Sequence, residues 1–94
     1  MRAKVERCEV SQCSYNQDNQ CHAIAITVGG DAAHPQCDTF CGSMEKGGEK
    51  IKVARVGACK VSACMFNKSL ECNSPDIMVG YKQDEVDCLT FLPG

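Results

Sequence analysis

Tryptophan is absent from this 94-residue chain, and the other aromatics amount to three Phe and two Tyr. Aromatic rings usually supply the largest share of buried area, so the core must be assembled from Val, Ile, Ala and Cys. A chain this short also buries a smaller fraction of its surface than a larger domain does. Long apolar runs are missing too. No stretch approaches the ~18 to 20 apolar residues that span a bilayer, which excludes insertion as a membrane helix. The start, MRAKVERCEV, lacks an apolar segment of signal-peptide length and a small-residue cleavage site. That absence predicts a cytoplasmic chain. An excess of positive charge is lacking as well, the formal net charge being −2. Eight thiolates around two Zn²⁺ ions would take it to −6, so phosphate is repelled and no nucleic-acid partner is expected.

Cysteine is what the sequence has in abundance, nine in 94 residues. That density marks a scaffold built on sulfur rather than on a large apolar core. In a reducing compartment dense cysteines hold metal more readily than they form disulfides, and an odd count leaves one over.

The cysteines belong to a duplication. Sliding the sequence by 51 positions lays residues 3–41 over 54–92 without a gap, and fourteen of the thirty-nine positions are identical. Four of these are Cys8/Cys59, Cys13/Cys64, Cys21/Cys72 and Cys37/Cys88, so both copies read C-x4-C-x7-C-x15-C. Self-similarity at a fixed offset makes each copy a structural unit. We therefore assign a first four-cysteine module to 3–41, a linker to 42–53 and a second module to 54–92. Gly47-Gly48 and interleaved charges predict a flexible, solvated start to the linker.

The other matched positions show what each unit needs besides sulfur. Val5/Val56 and Val10/Val61 flank the first cysteine. Ile26/Ile77 and Val28/Val79 alternate at period two, which predicts short strands with one buried face. Asn16/Asn67 predicts a tight turn and Gly29/Gly80 a strand end. Phe40/Phe91 are the expected core plugs. Among the unmatched positions, Pro75 predicts a shortened or edge strand in copy two, and 82–88 admits a helical turn. His22 and His34 are read as exposed loop residues. Cys41, which faces Leu92 in the comparison, is read as a partly buried free thiol.

Four thiolates in a tetrahedron make a common structural Zn²⁺ site, and each copy repeats four and only four cysteines. Zinc contributes roughly 10 to 16 kcal/mol to folding of such small domains at neutral pH. Two other readings stay open. Four thiolates also hold iron, although no C-x2-C pair is present and the plant-type C-x4-C-x2-C spacing is not matched. Two disulfides per copy would staple the same fold in an oxidising setting. Catalysis finds no support, because a closed four-thiolate site leaves no position for substrate or water, and no His, Asp or Glu recurs beside a nucleophile.

Taken together, CEVSQCSYN, CHAIAITVGG and CDTF in copy one, and CKVSACMFN, CNSPDIMVG and CLTF in copy two, resemble the small bacterial domain of unknown function 1540. The resemblance covers nearly the whole chain outside the linker. It implies a bacterial cytoplasmic protein with a cysteine-ligated metal at Cys8, Cys13, Cys21 and Cys37, and at Cys59, Cys64, Cys72 and Cys88. It brings no activity with it.

The expectation is thus a small, metal-stabilised, β-rich protein. Two tandem four-cysteine modules of short strands and loops, with little helix, pack about a pseudo-two-fold axis as a pseudo-dimer within one monomeric chain. Each binds one Zn²⁺ locally, two per chain, iron being less favoured. The module is non-enzymatic and meets an unidentified protein partner. The alternatives are a redox or electron-transfer iron protein and a disulfide-stapled structural protein.

Overall fold

The β-branched runs become strands, and the strands close on themselves. The computed structural model describes residues 3–42, 45–49 and 51–94. Copy one supplies β1 (Lys4–Cys8), β2 (Asn16–Gln17), β3 (Gln20–Cys21), β4 (Ala25–Gly30) and β5 (Pro35–Cys37). Copy two supplies β6 (Arg55–Cys59), β7 (Asn67–Lys68), β8 (Glu71–Cys72), β9 (Asp76–Lys82) and β10 (Glu85–Cys88). The described residues form no helix, so none crosses a membrane as a helix. The segment 82–88, read as a helical turn, is instead a hairpin. Gln83 and Asp84 adopt φ of 52° and 67°, the mirror-turn geometry that suits two-residue hairpin loops, and β10 returns along β9.

Six strands form a closed barrel in the order β1-β6-β4-β5-β10-β9, with β9 pairing back to β1. The two copies are interleaved in it. β1 runs parallel to β9, and β6 runs parallel to β4, so the first strand of each copy pairs with the long strand of the other. Where β1 meets β6, Lys4 faces Arg55; where β5 meets β10, Gln36 faces Asp87. Both pairs are repeat mates, 51 residues apart, so the pseudo-two-fold axis passes through both junctions. Hydrogen bonds obey it too. Val5 N–H donates to Ala54 O at 2.9 Å and Val56 N–H to Ala3 O at 2.8 Å. Closure removes the open edges that would otherwise template aggregation.

The alternating positions point inward as the pattern requires. Val5, Val10, Ile26, Val28, Val56, Val61, Ile77 and Val79 are all buried. Several expectations give way to the closed barrel. Pro75 neither shortens its strand nor marks an edge: it ends just before β9, which is the longest strand, and its carbonyl accepts from Lys4 N–H. Gly29 and Gly80 lie inside β4 and β9 rather than at their ends. Phe40 is exposed and Phe91 half-buried, so neither is the plug; the largest fully buried side chains include Ile26, Ile77, Val5 and Val10. The tight turn falls at Asp18-Asn19 and Ser69-Leu70, all four at positive φ, not at Asn16 and Asn67.

Of the expected linker, Ser43, Met44 and Lys50 lie outside the described residues. The stretch 45–49 is tied to copy one: Gly47 N–H donates to Ser14 O, Glu49 N–H to His22 O, and Lys46 Nζ lies 3.1 Å from Asn16 O. His22, expected to be exposed, is buried, and its Nδ1–H donates to Lys52 O at 2.7 Å.

Candidate metal centres

The first two cysteines of each copy are set by one turn. Val10-Ser11-Gln12-Cys13 closes with Cys13 N–H donating to Val10 O at 3.1 Å, and Cys64 N–H repeats the bond to Val61 O at 3.1 Å. Asn16 fixes the next segment. Its Nδ2 donates to Cys8 O at 2.7 Å while its Oδ1 accepts from Asn19 N–H at 3.2 Å, and Asn67 does the same with Cys59 O and Leu70 N–H. One side chain thereby ties the strand of the first cysteine to the small hairpin, β2-β3 or β7-β8, that carries the third. The fourth cysteine ends β5 or β10. Behind it Thr39 Oγ1 accepts from Thr27 N–H at 3.1 Å, and Thr90 Oγ1 from Met78 N–H at 2.9 Å, which is why the C-x-T-F ending recurs.

This scaffold gathers the sulfurs in fours. Cys8, Cys13, Cys21 and Cys37 line one pocket; Cys59, Cys64, Cys72 and Cys88 line a second. The walls are apolar, and each is completed by the other copy: Val79 and Val86 face the first pocket, Val28 and Pro35 the second. Phe40 and Phe91 sit at these pockets, so the aromatic of each copy covers its thiols instead of filling the barrel. All nine thiols are free.

Burial governs the thiols' protonation. It pushes Cys21, Cys37 and Cys88 up from 9.0 to about 11 and also raises Cys72. The neighbouring thiols of the same set add to the rise. Backbone N–H groups oppose it, and their placement is regular: the sulfurs of Cys21, Cys37, Cys72 and Cys88 each accept from the residue two positions on, Ala23, Thr39, Ser74 and Thr90. Donors aimed at sulfur favour the thiolate, whereas four sulfurs in an apolar pocket disfavour it unless a cation shares the pocket.

The donor set therefore suits a soft divalent ion, and the only other polar side chains lining the two pockets are Tyr15, Thr39 and Thr90. The sulfurs stand wider than a bound set. Among the described residues the one trio of ligand atoms within 4.8 Å of one another is His34, Glu85 and Asp87, which includes no sulfur. A tetrahedron with Zn–S of about 2.3 Å has sulfur-sulfur edges of about 3.8 Å, so an ion would draw each set inward. Cys41 stands apart. It is exposed rather than partly buried, and its copy-specific part is the side chain alone, since its carbonyl accepts from Ser14 N–H as Leu92 O accepts from Met65 N–H.

A family model described as Domain of Unknown Function (DUF1540) matches two segments, residues 7–43 and 58–91. No curated protein and no solved structure matches the chain.

Proposed function

The chain belongs to the domain of unknown function 1540 family, in two tandem copies, and from that premise we propose that it is a non-enzymatic metal-binding module. Cys8, Cys13, Cys21 and Cys37 would hold one Zn²⁺, and Cys59, Cys64, Cys72 and Cys88 a second. The observation that carries this reading is the convergence of each repeated set of four on its own apolar pocket, with N–H donors aimed at two of the four sulfurs. A bound Zn²⁺ would supply the positive charge that lets buried thiols ionise, and cross-link strand, hairpin and barrel in one step.

Four protein ligands leave no coordination position for a substrate, so the role is structural and not catalytic. Free thiols suit a reducing, cytoplasmic setting. What the module offers a partner is its surface, and contact with another protein is the function we assign to it. Met65 and Leu92, both exposed and joined by a backbone bond of 2.7 Å, provide apolar area beside the second pocket.

Metal analysis and intact mass of protein purified without added metal test the reading. Zinc in the chain with all thiols reduced is expected. A metal-free chain lighter by two hydrogens per bridge would replace it with a disulfide scaffold, and a coloured preparation containing iron would replace it with a redox protein.

A further inference from the structure

Where β5 meets β10 on the pseudo-two-fold axis, the two copies place unlike residues against each other. His34 and Glu85 are repeat mates, as are Gln36 and Asp87, and the sequence comparison simply counts both pairs as mismatches. In the barrel they meet. His34 Nδ1 lies 2.5 Å from Glu85 Oε2 and 3.1 Å from Asp87 Oδ2, and Gln36 Nε2 donates to Glu85 Oε1 at 3.1 Å. Local structure holds the histidine there. Asp31 Oδ1 accepts from Ala33 N–H and His34 N–H at 3.0 Å each, and Gly30, at φ 76°, makes the bend that starts this loop.

The arrangement is short of positive charge. Both carboxylates point at the same ring nitrogen, which carries at most one proton and donates well to only one acceptor. Asp87 is completely buried, and its Oδ1 has no hydrogen-bond partner among the described residues. A buried, half-satisfied carboxylate is costly, and a cation that replaces the shared proton removes the deficit. The ligand atoms of His34, Glu85 and Asp87 already lie within 4.8 Å of one another.

We propose that His34, Glu85 and Asp87 form a third metal site, on the pseudo-two-fold axis, that takes a divalent first-row transition ion through one imidazole and two carboxylates. This ligand set is harder than the thiolate sets and joins the copies instead of serving one of them. Two negative charges balance the ion, and Gln36 orients Glu85 from outside. Side-chain exposure of 33% at His34 and 37% at Glu85 leaves the ion a route in and room for water as a further ligand.

The test is the number of zinc ions retained per full-length chain after titration with Zn²⁺ and gel filtration. The unmodified chain is expected to hold one ion more than His34→Gln and one more than Glu85→Gln, both chosen because their side chains are part-exposed, with circular dichroism checking that each variant is folded. That difference of one does not depend on how many ions the thiols hold, so it stands or falls separately from the thiolate reading. Equal zinc content in all three chains overturns the proposal and leaves His34 as a hydrogen-bond partner of the two acids. Cobalt taken up at this site should also add weak visible bands without sulfur-to-metal charge transfer; a third ion that shows such charge transfer would place it on sulfur and overturn the assignment.

Discussion

Asn16 is buried and answers two backbone groups at once, so its role is larger than its size. Replacing it with Ala leaves Cys8 O and Asn19 N–H without their partner, and the expected loss is roughly 2 kcal/mol in denaturant unfolding. Leu70 presents the opposite case. It sits at φ 66° with its side chain exposed, a conformation that costs most residues about 1 kcal/mol or more, while copy one places Asn19 at the equivalent position. Leu70→Asn should therefore stabilise the protein by ~1 kcal/mol, read as an increase in Tm. The cysteines were legible at this scale because their recurrence is written in the sequence. Asn16 was legible as important but not for its reason: the side chain acts from a strand and pins a turn two residues further on.

At the scale of elements, the β-branched alternation located β4 and β9, and the repeat located their partners. The hairpin at Gln83-Asp84 was not legible, since Asp84 tolerates positive φ but Gln83 is not a usual positive-φ former, and no Gly marks the turn. Copy one solves the same connection differently, with Gly30 at positive φ and Asp31 capping the loop. A Cβ at Gly30 would stand 2.1 Å from His34 O, so Gly30→Ala should cost at least ~2 kcal/mol and displace the loop that carries His34. Unfolding curves measure the cost, and loss of zinc from the axial site measures the displacement. His34 itself was passed over because a single sequence read along its length places it 51 residues from Glu85. The signal was present as two uncharged-to-acidic mismatches, His34/Glu85 and Gln36/Asp87, and it gains meaning only once the pseudo-symmetry brings mates together.

The whole molecule changes what is expected of the two halves on unfolding. Tandem order suggested local, separable sites, but β1 pairs with β9, β6 with β4, and each pocket borrows two wall residues from the other copy. Strand exchange of this kind is invisible to sequence, because either copy's strand fits either partner equally well by pattern. Cys13→Ser should consequently weaken both halves and unfold the chain in one transition, instead of leaving copy two intact, and chemical denaturation followed by two probes will decide it. The barrel also fixes the pH response. Cys21, Cys37 and Cys88 are raised from 9.0 to about 11 in the folded state, so the metal-free, reduced protein binds their protons more tightly than the unfolded chain does. Its stability from these groups is complete below pH 9 and is lost as pH rises through about 11. The zinc-bound protein has the reverse dependence, because acid returns protons to the thiolates and releases the ion. Melting temperatures across pH with and without chelator should therefore move in opposite directions.

Whether each repeated set of four sulfurs encloses one ion is decided by zinc-edge X-ray absorption on the His34→Gln chain, which lacks the axial imidazole. Two zinc ions per chain are expected, with a first shell of four sulfurs at about 2.3 Å and no nitrogen or oxygen. A first shell containing nitrogen or oxygen, or a folded chain that carries no metal, would contradict the four-sulfur reading.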